Sequence, residues 1–454
     1  MSSVKLWFGE ALLPEGWARG VRIAVTDGRI ASIEAGVARG TRDEAHAVAV
    51  PGMPNLHSHA FQRGMAGLAE VRGPSGDSFW TWREVMYRFV ERLDPDAFEA
   101  IAQMAYVEML EAGFTRVGEF HYLHRDPSGA PYGNPAEMAA HVAAAAEATG
   151  IGLTLLPVFY AHSGFGGQPP KPSQKRFIHD TDGFARLLVE SRKAVVGLPD
   201  AVVGVAPHSL RAVTAEELAA VATFAGDAPI HIHIAEQMKE VEDCLAWSGK
   251  RPVEWLLDRE LVNERWCLVH ATHLTDVETK SVARSGAVAG LCPITEANLG
   301  DGVFPAEDFL AAGGRVGIGS DSNVMIDAAE ELRLLEYGQR LVRRGRNLLA
   351  SREGASTGGE IYRAALRGGA QALGADDGVL KIGGSADIVS LDTTHPSLTN
   401  RTGDALLDGW LFAARCGAVD CVWHHGAKVV TGGRHVAREQ IVNRYRLTLA
   451  KVLG

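Results

Sequence analysis

A chain of 454 residues is long enough to bury one large domain and a smaller companion. Hydrophobic residues at 46% and charged residues at 22% exclude a disordered chain, and no apolar run approaches the roughly 20 residues that span a bilayer. The formal charge of -10 is spread without a basic block, which argues against a nucleic-acid or membrane partner and leaves a small-molecule site as the expectation.

Met1 to Glu10 lacks the charged and long apolar regions of a secretory signal. Cys244, Cys267, Cys292, Cys416 and Cys421 are odd in number and scattered, the pattern of free packing thiols in a reducing cytoplasm. From Val4 onward, short alternating runs (5–12, 21–25, 29–33) are broken by turn formers such as Thr26-Asp27-Gly28. The same texture returns at 379–382, 387–391, 420–424 and 428–431. Two β-rich ends, 1–50 and 376–454, around a different middle are expected to pair into one small β-sandwich.

Over 51–375, strand-like runs at 49–53, 115–120, 153–160, 201–206, 229–234, 266–270, 287–291 and 315–319 alternate with helical intervals such as 95–112, 135–149, 214–225 and 238–260. This α/β alternation predicts a distorted (β/α)₈ TIM barrel, whose chemistry sits at the carboxyl ends of its strands. His57, His59, Tyr122, His208, His233, Glu236, His270 and Asp321 all fall at or just beyond such ends. Long loops at 61–94, carrying Trp80, Trp82, Arg83 and Tyr87, and at 161–182 are expected to wall or cover that face.

Side chains two apart on a strand share a face, so His57 and His59 can aim at one cation. With His233 and Asp321 they form a four-ligand set suited to one catalytic Zn²⁺ with room for a water, whose pKa such an ion lowers to about neutrality. Asp321 can take the water's proton, Glu236 can carry a proton to a leaving nitrogen, and His270 can orient the attack and polarise the electrophilic carbon. His231 points the same way as His233 and is taken as a deeper barrel-layer residue. His273 reads as a helix-start histidine or one supporting the site from behind. Glu119 and His121 are as readily structural as functional, and His424 and His425 belong to the small β domain.

The stretches Pro51-Gly52-Met53-Pro54-Asn55-Leu56-His57-Ser58-His59, His233-Ile234-Ala235-Glu236, His270-Ala271-Thr272-His273-Leu274, Gly319-Ser320-Asp321-Ser322 and Gly383-Gly384-Ser385-Ala386-Asp387 together resemble the amidohydrolase superfamily across nearly the whole chain. The resemblance implies its mononuclear zinc deaminase branch, since 201–208 lacks the lysine that bridges two metals in binuclear relatives. Narrower matches at His57 to Gly67, Trp80-Thr81-Trp82-Arg83, Glu119-Phe120-His121-Tyr122 and Pro207-His208-Ser209-Leu210-Arg211 are similar to the deiminases that convert N-formimidoyl-L-glutamate to N-formyl-L-glutamate and ammonia in histidine degradation. Where nucleobase-directed relatives often carry a Ser-Asn pair, this chain has Thr295-Glu296-Ala297-Asn298, which weakens a transfer of purine specificity.

A dicarboxylate substrate calls for guanidinium groups. Arg83 and Arg211 on catalytic-face loops, with Gln62, Tyr122 and His208 as further donors, are the expected substrate residues, while Arg63 after a turn reads more readily as solvated. Two alternatives stay open: another hydrolase on this scaffold (a guanine, cytosine or adenosine-type deaminase, or an imidazolone ring hydrolase), favoured if aromatic stacking groups rather than arginines line the mouth, and a non-catalytic assembly protein. A homodimer is the expected assembly.

Overall fold

The computed structural model describes residues 4–73, 76–376 and 378–454; Met1–Ser3 of the N-terminal stretch, Pro74 and Ser75 of the loop 61–94, and Asp377 lie outside it. Eight segments form the staves of a parallel barrel. They are β1 (Met53–Ser58), β2 (Phe114–His121), β3 (Gly152–Phe159), β4 in two short pieces (Val202–Val203 and Ala206–Pro207), β5 (Ile230–Ile234), β6 (Trp266–His270), β7 (Val288–Leu291) and β8 (Arg315–Ile318). The first four pair in order, as do the last four.

Two seams close the ring. His231 N donates to Val205 O at 3.0 Å and His233 N to His208 O at 3.1 Å, joining β4 to β5. Asp321 N donates to His57 O and His59 N to Asp321 O, both at 2.9 Å, joining the end of β8 to β1. The second seam runs through three of the expected metal ligands, so barrel closure itself brings them together.

The barrel floor is plugged by the end of the helix Thr357–Ala372, whose last carbonyls lack helical partners. His231 Nε2 donates to Ala372 O at 2.7 Å and Thr154 Oγ1 to Leu373 O at 2.9 Å. His231 thus points into the barrel interior below the mouth. The helices that wrap the barrel start where the sequence supplies caps. Asp94 Oδ1 accepts from Ala97 N ahead of Pro95–Glu111, and Thr214 and Thr275 make capping boxes with Glu217 and Glu278.

The chain ends build one continuous sheet in the order Arg434–His435, Ala427–Thr431, Val419–His424, Ile388–Leu391, Glu44–Pro51, Val4–Leu13, Gly16–Thr26, Arg29–Glu34. Phe8 and Trp423 lie three strands apart, about 14 Å in a flat sheet, yet their rings meet at 6.2 Å. The sheet therefore curls, and the strand Arg29–Glu34 returns to bond residues 383–386, with Gly383 N to Ile30 O at 2.8 Å and Ile30 N to Gly384 O at 3.0 Å. The two layers of the expected sandwich are the two halves of this one sheet, closed on a core of its own that includes Leu6, Phe8, Ile23, Ile388 and Trp423.

Several boundaries differ from the sequence reading. The run 49–53 was expected to open the barrel, but Glu44–Pro51 belongs to the terminal sheet and β1 begins at Met53, beyond Gly52. The expected helix 238–260 is two, Met238–Ser248 and Pro252–Arg259, because Gly249 adopts φ 74° and Pro252 starts afresh. The loop 61–94 contains a 3₁₀ segment, Ala60–Met65, and a helix, Phe79–Val90, with Ser78 as N-cap. All five cysteines are free, and four of them are buried. Among the described residues no helix is long and apolar enough to cross a membrane.

Candidate metal centre and substrate cavity

His57, His59, His233 and Asp321 present one donor atom each, all within 4.8 Å of one another and all buried. Asp321 Oδ1 lies 3.2 Å from His59 Nε2 and 3.4 Å from His57 Nε2, and His57 Nε2 lies 3.0 Å from His233 Nε2. Four donors about 2.0–2.1 Å from a tetrahedral centre stand roughly 3.3 Å apart, so these separations fit a small divalent ion. The backbone sets two of the imidazoles: His59 Nδ1 lies 3.0 Å from Phe120 O and His233 Nδ1 3.0 Å from His208 O. Only a protonated Nδ1 can bond a carbonyl, which leaves Nε2 of each ring as the atom aimed inward.

The electrostatics agree. Burial pushes His57 down to about 3 and His233 well below the ordinary range, keeping both imidazoles neutral. Burial alone would raise Asp321, but the facing His57 and His59 hold it well below the usual carboxylate value. Two neutral nitrogen donors and an ionised carboxylate make a donor set suited to a divalent metal.

A second layer of groups leans over this cluster. His270 Nε2 is 3.9 Å from both Asp321 Oδ2 and Glu236 Oε1, and Glu236 Oε2 is 4.0 Å from Arg211 Nη2. Burial raises the Glu236 carboxyl against the opposing pull of His270 and Arg211. Burial would lower His270, but Glu236, Glu296 and Asp321 outweigh it and raise the ring to about 10. The backbone is unusual here, with His270 at φ 66°, Asp321 at φ 43° and Ala235 at φ 51° in the left-handed region.

Above the cluster is a cavity lined by His59, Gln62, Arg83, Tyr122, His208, Arg211, His233, Glu236, His270 and Asp321. Every residue assigned to the site from the sequence except His57, which is buried beneath it, reaches this cavity. Gln62 Nε2 donates to the Tyr122 hydroxyl at 2.9 Å, and Arg83 Nε to the Tyr87 hydroxyl at 2.6 Å. Arg211 is 9% exposed, and its Nε and Nη1 have no protein acceptor. Arg63 lies elsewhere, paired twice with Glu108.

Aromatic rings also line the mouth, and two carry a guanidinium: Arg83 Cζ sits 5.5 Å from the Trp80 ring and 5.2 Å from the Tyr87 ring, and Arg211 Cζ sits 5.6 Å from Trp80. Among the described polar groups of the cavity, Arg211 Nε and Nη1 and Gln62 Oε1 are buried without a protein partner.

Sequence reasoning passed over Tyr160, Gln174 and Glu296. Gln174 donates to the Tyr160 hydroxyl at 2.7 Å behind the cavity wall, and Glu296 Oε1 lies 3.2 Å from His270 Nδ1. The acid four residues after Cys292 was a visible signal for Glu296, whereas nothing local marks Gln174, which sits in a polar, proline-containing loop. His121 is buried with Nε2 unpartnered, and Glu119 Oε1 accepts from Ala60 N at 2.8 Å beneath the metal cluster. His424 and His425 pair with Asp387 and Asp200 at the base of the barrel.

Comparison with known proteins gives concordant results. Residues 48–429 match the Amidohydrolase family, and residues 6–47 match the N-terminal domain of formimidoylglutamate deiminase HutF. A formimidoylglutamate deiminase from Pseudomonas aeruginosa is 53% identical over 445 residues, covering 98% of both chains. The crystal structure of an amidohydrolase from Brucella melitensis superposes with a TM-score of 0.96 at 58% identity, covering 99% of this chain and 100% of that one. An adenosine deaminase from Xanthomonas campestris, solved with bound zinc, shares the fold at a TM-score of 0.81 and 23% identity, over 99% of this chain and 98% of its own.

Proposed function

This chain belongs to the amidohydrolase family, and we propose that it hydrolyses N-formimidoyl-L-glutamate to N-formyl-L-glutamate and ammonia, a deimination of histidine degradation. The observation that carries this reading is one cavity that opens onto the His57–His59–His233–Asp321 cluster and is lined by two arginines, Arg83 and Arg211. The first is machinery for activating water, and the second is a counter-charge for two carboxylates.

His57, His59, His233 and Asp321 would hold one zinc ion per chain, which when bound supplies Lewis acidity and a readily deprotonated water. A single ion is supported by the absence of lysine from the β4 segment. Asp321, 3.9 Å from His270, is placed to accept the proton released as water adds to the formimidoyl carbon. His270 steadies the developing charge. Addition leaves a tetrahedral carbon bearing one hydroxyl and two nitrogens. Glu236, raised by burial toward its protonated form, protonates the terminal nitrogen during addition. At collapse the proton held by Asp321 reaches the same nitrogen, the hydroxyl proton returns to Glu236 and the C–N bond breaks, so ammonia leaves and the glutamate nitrogen stays. Arg83 and Arg211 bind the carboxylates, with Gln62, Tyr122 and His208 orienting the chain between them. The free thiols support a cytoplasmic setting, and a homodimer completes the reading.

Ammonia release is to be measured with N-formimidoyl-L-glutamate, N-formimidoyl-L-aspartate and a panel of guanine, cytosine and adenosine. The expected result is turnover of the glutamate derivative above all others; preference for a nucleobase overturns the assignment.

A further inference from the structure

We propose that Glu296 is the residue that sets the orientation of the His270 ring, which makes it a positioning residue for the deimination; this rests on the functional reading above. Glu296 is 5% exposed, and its Oε1 meets two donors: Cys292 N at 2.9 Å and His270 Nδ1 at 3.2 Å. A buried carboxylate is costly unless hydrogen-bonded, so both contacts matter to it.

The carboxylate is anchored independently of His270. It sits on the short helix Pro293–Leu299, which follows β7, and reaches back to the amide of Cys292 at that helix's start. A second buried acid, Glu331, accepts from Ile294 N at 2.9 Å in the same turn. The helix entrance is thus pinned twice, and the Glu296 oxygen is presented to the imidazole at a fixed point.

The consequence for His270 is geometric. With Nδ1–H committed to Glu296 the ring's rotation is fixed, and the other nitrogen, Nε2, is the atom that faces the cavity. There it stands 3.9 Å from Glu236 Oε1 and 3.9 Å from Asp321 Oδ2, between the two carboxylates that move protons. Nothing else among the described residues bonds Nδ1. Without Glu296 the ring is free to turn about its χ angles and present carbon to the reacting centre.

The test compares the parent with E296Q and E296A, reading kcat, KM, zinc content and the His270 ring in crystal structures of each. Gln keeps an acceptor oxygen for both N–H groups, so E296Q is expected within about 3-fold of the parent kcat. E296A is expected to lose kcat about 10- to 100-fold, the usual cost of losing a carboxylate that orients a functional histidine, with KM within about 2-fold, zinc unchanged and the ring rotated. If E296A does not fold, E296M, which keeps bulk and accepts nothing, replaces it. Parental kcat in E296A, an E296Q as slow as E296A, or an unmoved ring in E296A overturns the proposal. A parent inactive on N-formimidoyl-L-glutamate instead overturns the substrate assignment, and the ring orientation then still decides the role of Glu296.

Discussion

His57 Nε2 stands 3.0 Å from His233 Nε2, whose own proton is held on Nδ1 by the carbonyl of His208. Two ring nitrogens so close, in rings that burial keeps neutral, are held apart at the spacing of ligands about one ion. Binding to the folded state alone stabilises it by about 4 kcal/mol when the free metal is a thousandfold above Kd. Zinc should therefore raise the Tm of the parent by several degrees, and H57A or H233A should abolish both the shift and the bound zinc. Thermal scans with zinc analysis check this, and an undiminished shift in either variant would remove that histidine from the ligand set.

Arg211 carries two buried nitrogens with no protein acceptor, and Arg83 shares the Trp80 ring with it. Charge-assisted hydrogen bonds are worth about 1.5–3 kcal/mol each, so R211M should raise KM for the dicarboxylate about 10- to 100-fold while zinc content stays constant. R83M should act in the same direction. Steady-state kinetics on both variants decides it; an unchanged KM in R211M would show that substrate carboxylates bind elsewhere.

Gly319 leaves no room for a side chain. A Cβ there would lie 2.7 Å from His57 O, 2.8 Å from His57 N and 2.9 Å from its Cβ, directly beneath the metal cluster. G319A must push β1 away from β8, at about 1–3 kcal/mol for such overpacking. The expected outcome is a lower Tm together with weaker zinc retention during dialysis. Parental values for both would show that the seam yields without disturbing His57.

Asp387 ties the terminal sheet to the barrel. Its Oδ1 lies 2.9 Å from His424 Nδ1 and accepts from His425 N at 2.8 Å. Burial would raise this carboxyl, but His424, the His425 amide and Arg116 outweigh it and hold it well below the usual range. A depressed folded value means that the stabilisation is fully present above the unfolded value of about 3.9 and is lost as pH falls through the lower folded value. D387N should therefore cost about 2 kcal/mol at pH 7 and lose less Tm than the parent between pH 5 and pH 3. Parallel loss of Tm in the two proteins would remove Asp387 as an acid-sensitive tie.

The metal cluster was readable because each of its ligands sits at the end of a strand-like run, although barrel closure is what brings them together. Strand alternation pairs His57 with His59, and Glu236 follows His233 at three residues. Strand ends were less readable. Val48-Ala49-Val50 looks like a buried barrel strand, yet a buried strand of the terminal sheet has the same composition, and only Gly52 marks the change of sheet. β4 was expected unbroken at 201–206. A Cβ at Gly204 would lie 2.5 Å from Pro229 O, so the close neighbour, invisible in local sequence, demands glycine where the strand breaks. The helix Phe79–Val90 was hidden by its aromatic residues, which are weak helix formers in isolation and are held by packing against the mouth. Glu296 joined the site only through a contact 26 residues away from His270 in the chain.

The proposed role of Glu236 as proton carrier beside one metal centre is open to direct measurement. Ammonia release from N-formimidoyl-L-glutamate is to be measured for the zinc-loaded parent and for E236Q, with the zinc content of both determined. The parent should form N-formylglutamate and ammonia in equal amounts, and E236Q should fall about 10²- to 10⁴-fold in kcat at equal zinc. A variant that keeps most of the parental rate, or a zinc-loaded parent that leaves this substrate intact, would contradict it.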